Sequence, residues 1–285
     1  MNIAVLETHT DCSGFQQLAM FHSTVSKCQD RDITLDFSQC KFFDANMVAP
    51  LAALIELAKA RSKTFTVQNL QKKVRNALRR NYFLEQFGHG RLDDKLKLAI
   101  PYEKFAVIEH HKFWNYLQNV MSKDGMPHMT PNLTYEFQKS LFELFSNSRN
   151  HAKTELGVFA CGQLFSTEDT LRLTISDAGI GMLASIREKE KEITDEKAAI
   201  VWALETGNTA NIGKKPGGMG LKLIKEFVDY NKGELLIVSG RGFYQYNKGR
   251  QTTELFSTGL PGTTVSLKID TTDQNLYSLN SESHP

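Results

Sequence analysis

Residues 135–152, YEFQKSLFELFSNSRNHA, decide how this chain is read. At 3.6 residues per turn the stretch separates into two stripes. Phe137, Leu141, Leu144, Phe145 and Ser148 fall on one side, at the spacing of a core-facing helix face. Glu143, Asn147 and Asn150 fall on another, with His151 at its margin. A water-facing stripe usually carries Lys and Glu. This one carries a carboxylate and two amides, close enough to meet one small ligand. Alone, the stretch also fits a half-buried helix with scattered polar residues, so the flanking sequence has to decide.

Downstream, residues 171–176 (LRLTIS) read as a strand that runs into Asp177-Ala178-Gly179-Ile180-Gly181. A carboxylate at a strand end suits an exocyclic amine such as that of adenine. Gly179 and Gly181 remove the Cβ atoms that would keep a planar ligand off the backbone. The plain alternative is a turn. Residues 207–218 form a Gly- and Lys-bearing segment of the kind that serves as a lid, followed by Gly217-Gly218-Met219-Gly220 and an apolar helix over 221–230. A glycine loop opening a helix presents N–H groups and the positive end of the helix dipole, which favours phosphate. Neither a Walker A spacing nor a dinucleotide fingerprint is present. Thr194 reads as the cap of a helix whose Ile200, Ala203 and Leu204 face inward. After Gly233 come strands over 234–238, 243–246 and 263–269, with hairpin turns at 240–242 and 248–250.

Upstream, strand-like and helix-like stretches alternate: 2–7, 15–25, 32–37, 47–60, 64–67 and 74–87. That βαβαβα order predicts a small α/β domain with a parallel or mixed sheet. Residues 89–94 read as a boundary, 96–100 as a strand that Pro101 ends, 105–120 as a helix, and Thr134 as the cap of the opening helix. The basic run Lys72, Lys73, Arg75, Arg79 and Arg80 reads as a solvated helix face, or else a docking surface for an acidic partner. His110 and His111 read as structural.

The bulk numbers set limits. The chain has 285 residues, 41% hydrophobic and 23% charged, which is ordinary for globular domains and long enough for two. A net charge of +2 makes no electrostatic case for nucleic acid or an anionic membrane. Cys12, Cys28, Cys40 and Cys161 form no C-x-x-C pair, which predicts reduced thiols rather than zinc. The opening MNIAVLETHTD does not read as a signal peptide, and no apolar run reaches the ~18 residues of a membrane span. The expectation is a cytoplasmic protein.

Two resemblances add to this reading. DITLDFSQCKFFDANMVAPLAAL (32–54) resembles STAS domains of the anti-sigma-factor-antagonist type. In regulatory members a Ser or Thr after the shared Asp accepts a phosphoryl group. Here the Asp is Asp44 and Ala45 follows, which excludes that switch; Asp44 is then free to cap the helix that follows. ELFSNSRNHA, DAGIG, GGMGLKL and PGTTVSLKI resemble, in order, the N box, two glycine boxes and last strand of the GHKL ATPase superfamily, in the flavour of anti-sigma-factor kinases. The implied fold class is α/β (α+β): a STAS-like domain over 1–92, a two-layer GHKL sandwich over 95–271, and a polar tail over 272–285.

The GHKL resemblance implies roles. Asn147 ligates Mg²⁺ and Glu143 is the general base. Asn150 or His151 contacts phosphate or ribose. Asp177 takes the adenine amine, with Thr263 helping through a water. Gly218 and Gly220 let backbone wrap the phosphates, with Lys214, Lys215 or Lys222 adding charge. The implied activity is Mg-ATP hydrolysis or γ-phosphoryl transfer to a protein Ser/Thr, in a regulatory role with an unidentified protein partner. A homodimer is a further expectation. The alternative is a non-catalytic module in which ATP gates a partner surface. A histidine kinase is disfavoured because no dimerisation helix pair precedes the ATPase region. A gyrase- or chaperone-like machine is disfavoured because no transducer domain follows it.

Overall fold

A computed structural model describes residues 1–151, 154–187, 190–205, 220–279 and 282, and the side chains of residues 149–151 fall outside the description. The first unit alternates β1 (Asn2–Ala4), α1 (Cys12–Lys27), β2 (Asp32–Asp36), α2 (Val48–Lys59), β3 (Thr64–Gln68) and α3 (Lys72–Arg80). Its strands form a parallel sheet in the order β1-β2-β3. The second unit contains β4 (Ala99–Phe105), α4 (His110–Met121), α5 (Pro131–His151), β5 (Val158–Phe165), β6 (Thr170–Asp177), α6 (Gly181–Ile186), α7 (Glu196–Leu204), α8 (Gly220–Tyr230), β7 (Glu234–Asn247) and β8 (Arg250–Asp270). Its sheet is antiparallel throughout, in the order β4-β5-β6-β8-β7. The protein is thus a mixed α/β fold. Among the described residues no helix is long and apolar enough to cross a membrane.

Side-chain alternation shows how the five-stranded sheet is covered. Val158 and Ala160 of β5, with Leu235 and Ile237 of β7, join a core with Phe113, Phe137, Phe145 and Ile224 of α4, α5 and α8. The intervening Phe159, Cys161, Leu236 and Val238 point the other way, into a core shared with Phe15, Leu18, Leu51 and Ile55 of α1 and α2. That second core also holds Ile33 and Leu35 of β2. One core, built on the helices of the first unit, therefore includes side chains from the back of the large sheet and from the small one.

Several local expectations need correction. The helix expected over 74–87 stops at Arg80. Asn81 is fully buried, giving its amide to the Ala45 carbonyl and accepting Phe83 N–H, and Tyr82 is left-handed at φ 70°, so residues 83–87 form a separate 3₁₀ turn. Pro101 does not end a strand; it lies inside β4, an edge strand whose register shifts between Ile100 and Glu103, where a missing N–H is tolerated. Phe105, expected in the next helix, closes β4 instead. Thr134 lies inside α5; Thr130 accepts Leu133 N–H and Pro131 occupies the first turn. Asp195 rather than Thr194 caps α7, accepting Ala198 N–H at 2.9 Å.

Asp44 makes no side-chain cap. The glycines at 240–242 are a bulge within β7, not a hairpin turn, and the one turn is at Lys248 and Gly249, both with positive φ. Arg79 is not simply solvated, since its guanidinium donates to the Gly90 and Arg91 carbonyls.

Candidate functional site

The site is built where α5 meets the end of β6, the start of α8 and the β7–β8 pair. On α5, Phe137, Leu141 and Phe145 are fully buried and hold the helix against the sheet. That anchoring turns Glu143 and Asn147, both half-buried, to the side. The Glu143 carboxylate accepts the Gly220 N–H at 3.1 Å, so the first turn of α8 sits directly on the expected base. A carboxylate is favourable there because the helix N-terminus leaves its N–H groups unpaired. A Cβ at Gly220 would press on that same carboxylate.

Five residues along α5, about 7.5 Å of rise, Ser148 donates to Asp177 Oδ2 at 3.1 Å. Asp177 is 6% exposed. Gly179 N–H donates to its Oδ1 at 2.7 Å and Thr263 N–H adds a third bond. Burial pushes this carboxyl up to about 6, against the pull of those three donors, and no cation takes part among the described residues. Two glycines are required around it. Gly262, at φ +78°, packs its Cα on the Asp177 carbonyl, where a Cβ would collide. Gly181, also at φ +78°, faces Ser239 Oγ and the Gly262 carbonyl, which a Cβ would approach to 3.0 and 3.3 Å in a backbone conformation that side chains rarely adopt.

The structure therefore brings Glu143, Asn147, Asp177, Gly179, Gly181, Gly220 and Thr263 into one region spanned by α5. The side chains of Asn150 and His151 lie outside the described residues, as do Gly218, Lys214 and Lys215. Lys222 points along α8 and pairs with Glu226 at 3.5 Å. His110 packs its ring on Phe142 and Phe145.

Three residues of this site escaped the sequence reading. Ser148 fell on the apolar stripe, where a lone hydroxyl among Phe and Leu was the available signal. Ser239 accepts Met182 N–H at 2.8 Å and stands 3.1 Å from Thr263 Oγ1, but nothing local distinguishes it within a strand. Gly262 stood within PGTTVSLKI, legible only for its likeness to a last strand. No model of a known protein family matches the chain, and no curated protein matches it.

Proposed function

We propose that the chain binds Mg-ATP in the GHKL manner and transfers the γ-phosphoryl group to water or to a Ser or Thr of a regulatory partner. The observation that carries this reading is the double engagement of α5: Glu143 meets the glycine-led start of α8, and Ser148 meets Asp177, with Asn147 between them. A triphosphate at the α8 N-terminus and an adenine at Asp177 would occupy the two ends of one ligand. The residues fit that ligand: Asp177 is a buried acceptor for an amine, and the glycine-led start of α8, whose Gly220 N–H meets the Glu143 carboxylate, suits a phosphate beside it.

Asn147 would hold Mg²⁺ through its amide oxygen, and the bound ion supplies charge neutralisation on the phosphates. Glu143 takes the proton from the attacking hydroxyl or water as its oxygen bonds to the γ-phosphorus, and ADP departs with the bridging oxygen. In this reading residues 1–92 are a STAS-like unit that receives no phosphoryl group, because Ala45 offers no hydroxyl and is 2% exposed.

One contact favours the second reading, an ATP-gated module without turnover: Glu143 already serves as a cap for α8. Glu143→Gln separates the two, since it keeps an acceptor for Gly220 and removes the base. The expected outcome is ATP affinity within a few-fold of wild type and turnover reduced by about 10³. A wild type that binds Mg-ATP but neither hydrolyses it nor labels a protein in lysate sinks the enzyme reading. Unchanged Mg-ATP affinity in Asn147→Ala sinks the site assignment.

A further inference from the structure

Ser239 belongs to none of the motifs above, yet its hydroxyl joins three segments of the site. It is 1% exposed and sits where the β7–β8 register shifts. It accepts the Met182 N–H at 2.8 Å, which ties down the first turn of α6 just after Gly181. It lies 3.2 Å from the Gly262 carbonyl and 3.1 Å from Thr263 Oγ1.

A hydroxyl has one proton and two lone pairs. The Gly262 carbonyl can only accept, so its contact requires the Ser239 proton. The Met182 N–H takes one Ser239 lone pair. The remaining lone pair faces the Thr263 hydroxyl, 3.1 Å away, whose proton can fill it. If Ser239 instead donated to Thr263, the contact with the Gly262 carbonyl would hold no hydrogen, an uncommon state for a buried group. In the arrangement that satisfies every contact, Thr263 has spent its proton inward and offers only lone pairs to the site. Asp177, when ionised, also only accepts.

We infer that Ser239 is a positioning residue that makes Thr263 an obligate acceptor, so that the base pocket selects a 6-aminopurine and rejects a 6-oxopurine. The inference rests on the ATP reading above. A 6-amino group donates to Asp177 and, directly or through water, to Thr263. A 6-oxo group presents another acceptor to two acceptors, and sites built this way reject the mismatched analogue strongly because buried polar groups are left unpaired.

The test compares equilibrium binding of Mg-ATP and Mg-ITP by calorimetry in wild type, Ser239→Ala and Thr263→Val. Wild type is expected to prefer ATP by about 100-fold or more. Ser239→Ala frees the Thr263 hydroxyl to turn and donate, so the preference is expected to fall about tenfold, through tighter ITP binding relative to ATP. A merely structural Ser239 would weaken both nucleotides by the same factor, and that result overturns the inference. Thr263→Val is isosteric and half-buried, and covers the case in which Ser239→Ala does not fold. It should relax the same ratio, and an unchanged ratio overturns the inference. In the double variant the two changes should not add. A wild type that binds ATP and ITP equally refutes the base selection while leaving nucleotide binding standing; a wild type that binds neither refutes both.

Discussion

Two aspartates are buried along strand β6, and the fold treats them in opposite ways. Asp44, from the first unit, is 1% exposed and reaches β6 near its start, where Arg172 Nη1 meets its Oδ2 at 2.7 Å. The same oxygen accepts Thr10 N–H at 2.7 Å and the Thr10 hydroxyl at 2.9 Å. Asp177, at the end of β6, is nearly as buried but has only neutral donors among the described residues. An ion pair neutralises the first charge in place. The second charge is held up by hydrogen bonds, and burial still raises its carboxyl to about 6. A site that must accept from a ligand cannot spend its charge on a resident cation. The contrast marks Asp44 as a joint between units and is what the ATP reading asks of Asp177.

The joint is an expensive one. Asp44 Oδ1 and Arg172 Nε are buried without partners among the described residues, so the pair is stabilising only while both members remain. Breaking it gives the largest expected effect. Arg172→Met keeps most of the stem beside Phe165, over which the guanidinium lies at 4.8 Å, but leaves Asp44 charged and unpaired. Urea denaturation should show a loss of about 3–5 kcal/mol. A loss below about 1 kcal/mol would mean that water reaches Asp44 and that the two aspartates differ less than their burial implies.

The next effect sharpens the receptor side. Asp177→Asn presents an amide where the ligand needs a charged acceptor, and ATP affinity should fall about 100-fold, close to 2.7 kcal/mol. Stability should move differently. The folded carboxyl sits near 6 and its ordinary value is 3.8, so the unfolded chain gives up this proton first. The contribution is fully present below about pH 4 and is lost as pH rises through about 6. Relative to Asp177→Asn, wild type should therefore lose on the order of 2–3 kcal/mol between pH 4 and pH 7. On the ATP reading, nucleotide binding should have the reverse dependence, since it needs the ionised form: affinity should be full well above pH 6 and decline as pH falls through about 6. A flat difference between the two proteins across this range would place Asp177 in contact with solvent or a cation.

Ser148→Ala is the smallest perturbation. It removes one donor from Asp177 Oδ2 and should cost about 1 kcal/mol. The pH at which nucleotide affinity is half lost should move upward, because the ionised carboxylate has lost support. An unmoved midpoint would assign the Ser148 hydroxyl to its other contact, the Leu144 carbonyl at 3.2 Å.

What could be read in advance follows from how local the physics is. The two stripes of α5, the strand before Asp177 and the glycines at its end are set by periodicity and backbone freedom within a few residues. Strand β5 was missed for the opposite reason. Its start, VFAC, is buried on both faces, by α4 and α5 on one side and by the helices of the first unit on the other, so it shows no polar alternation. Pro101 reads as the end of a strand, and only the edge position of β4 lets the strand run through it. Nothing in LRLTIS singles out Arg172, because its partner Asp44 lies 128 positions away.

Helix faces, strand ends and glycine-led turns are short-range properties, so the elements of the candidate site and the chemistry each can offer are written along the chain. Which faces meet is settled by packing. It laid α1 and α2 across the back of the sheet, joined Ser148 to Asp177, and brought Ser239 to Thr263. Those pairings depend on the burial of apolar surface contributed from distant parts of the chain, and no local pattern encodes the address of a partner.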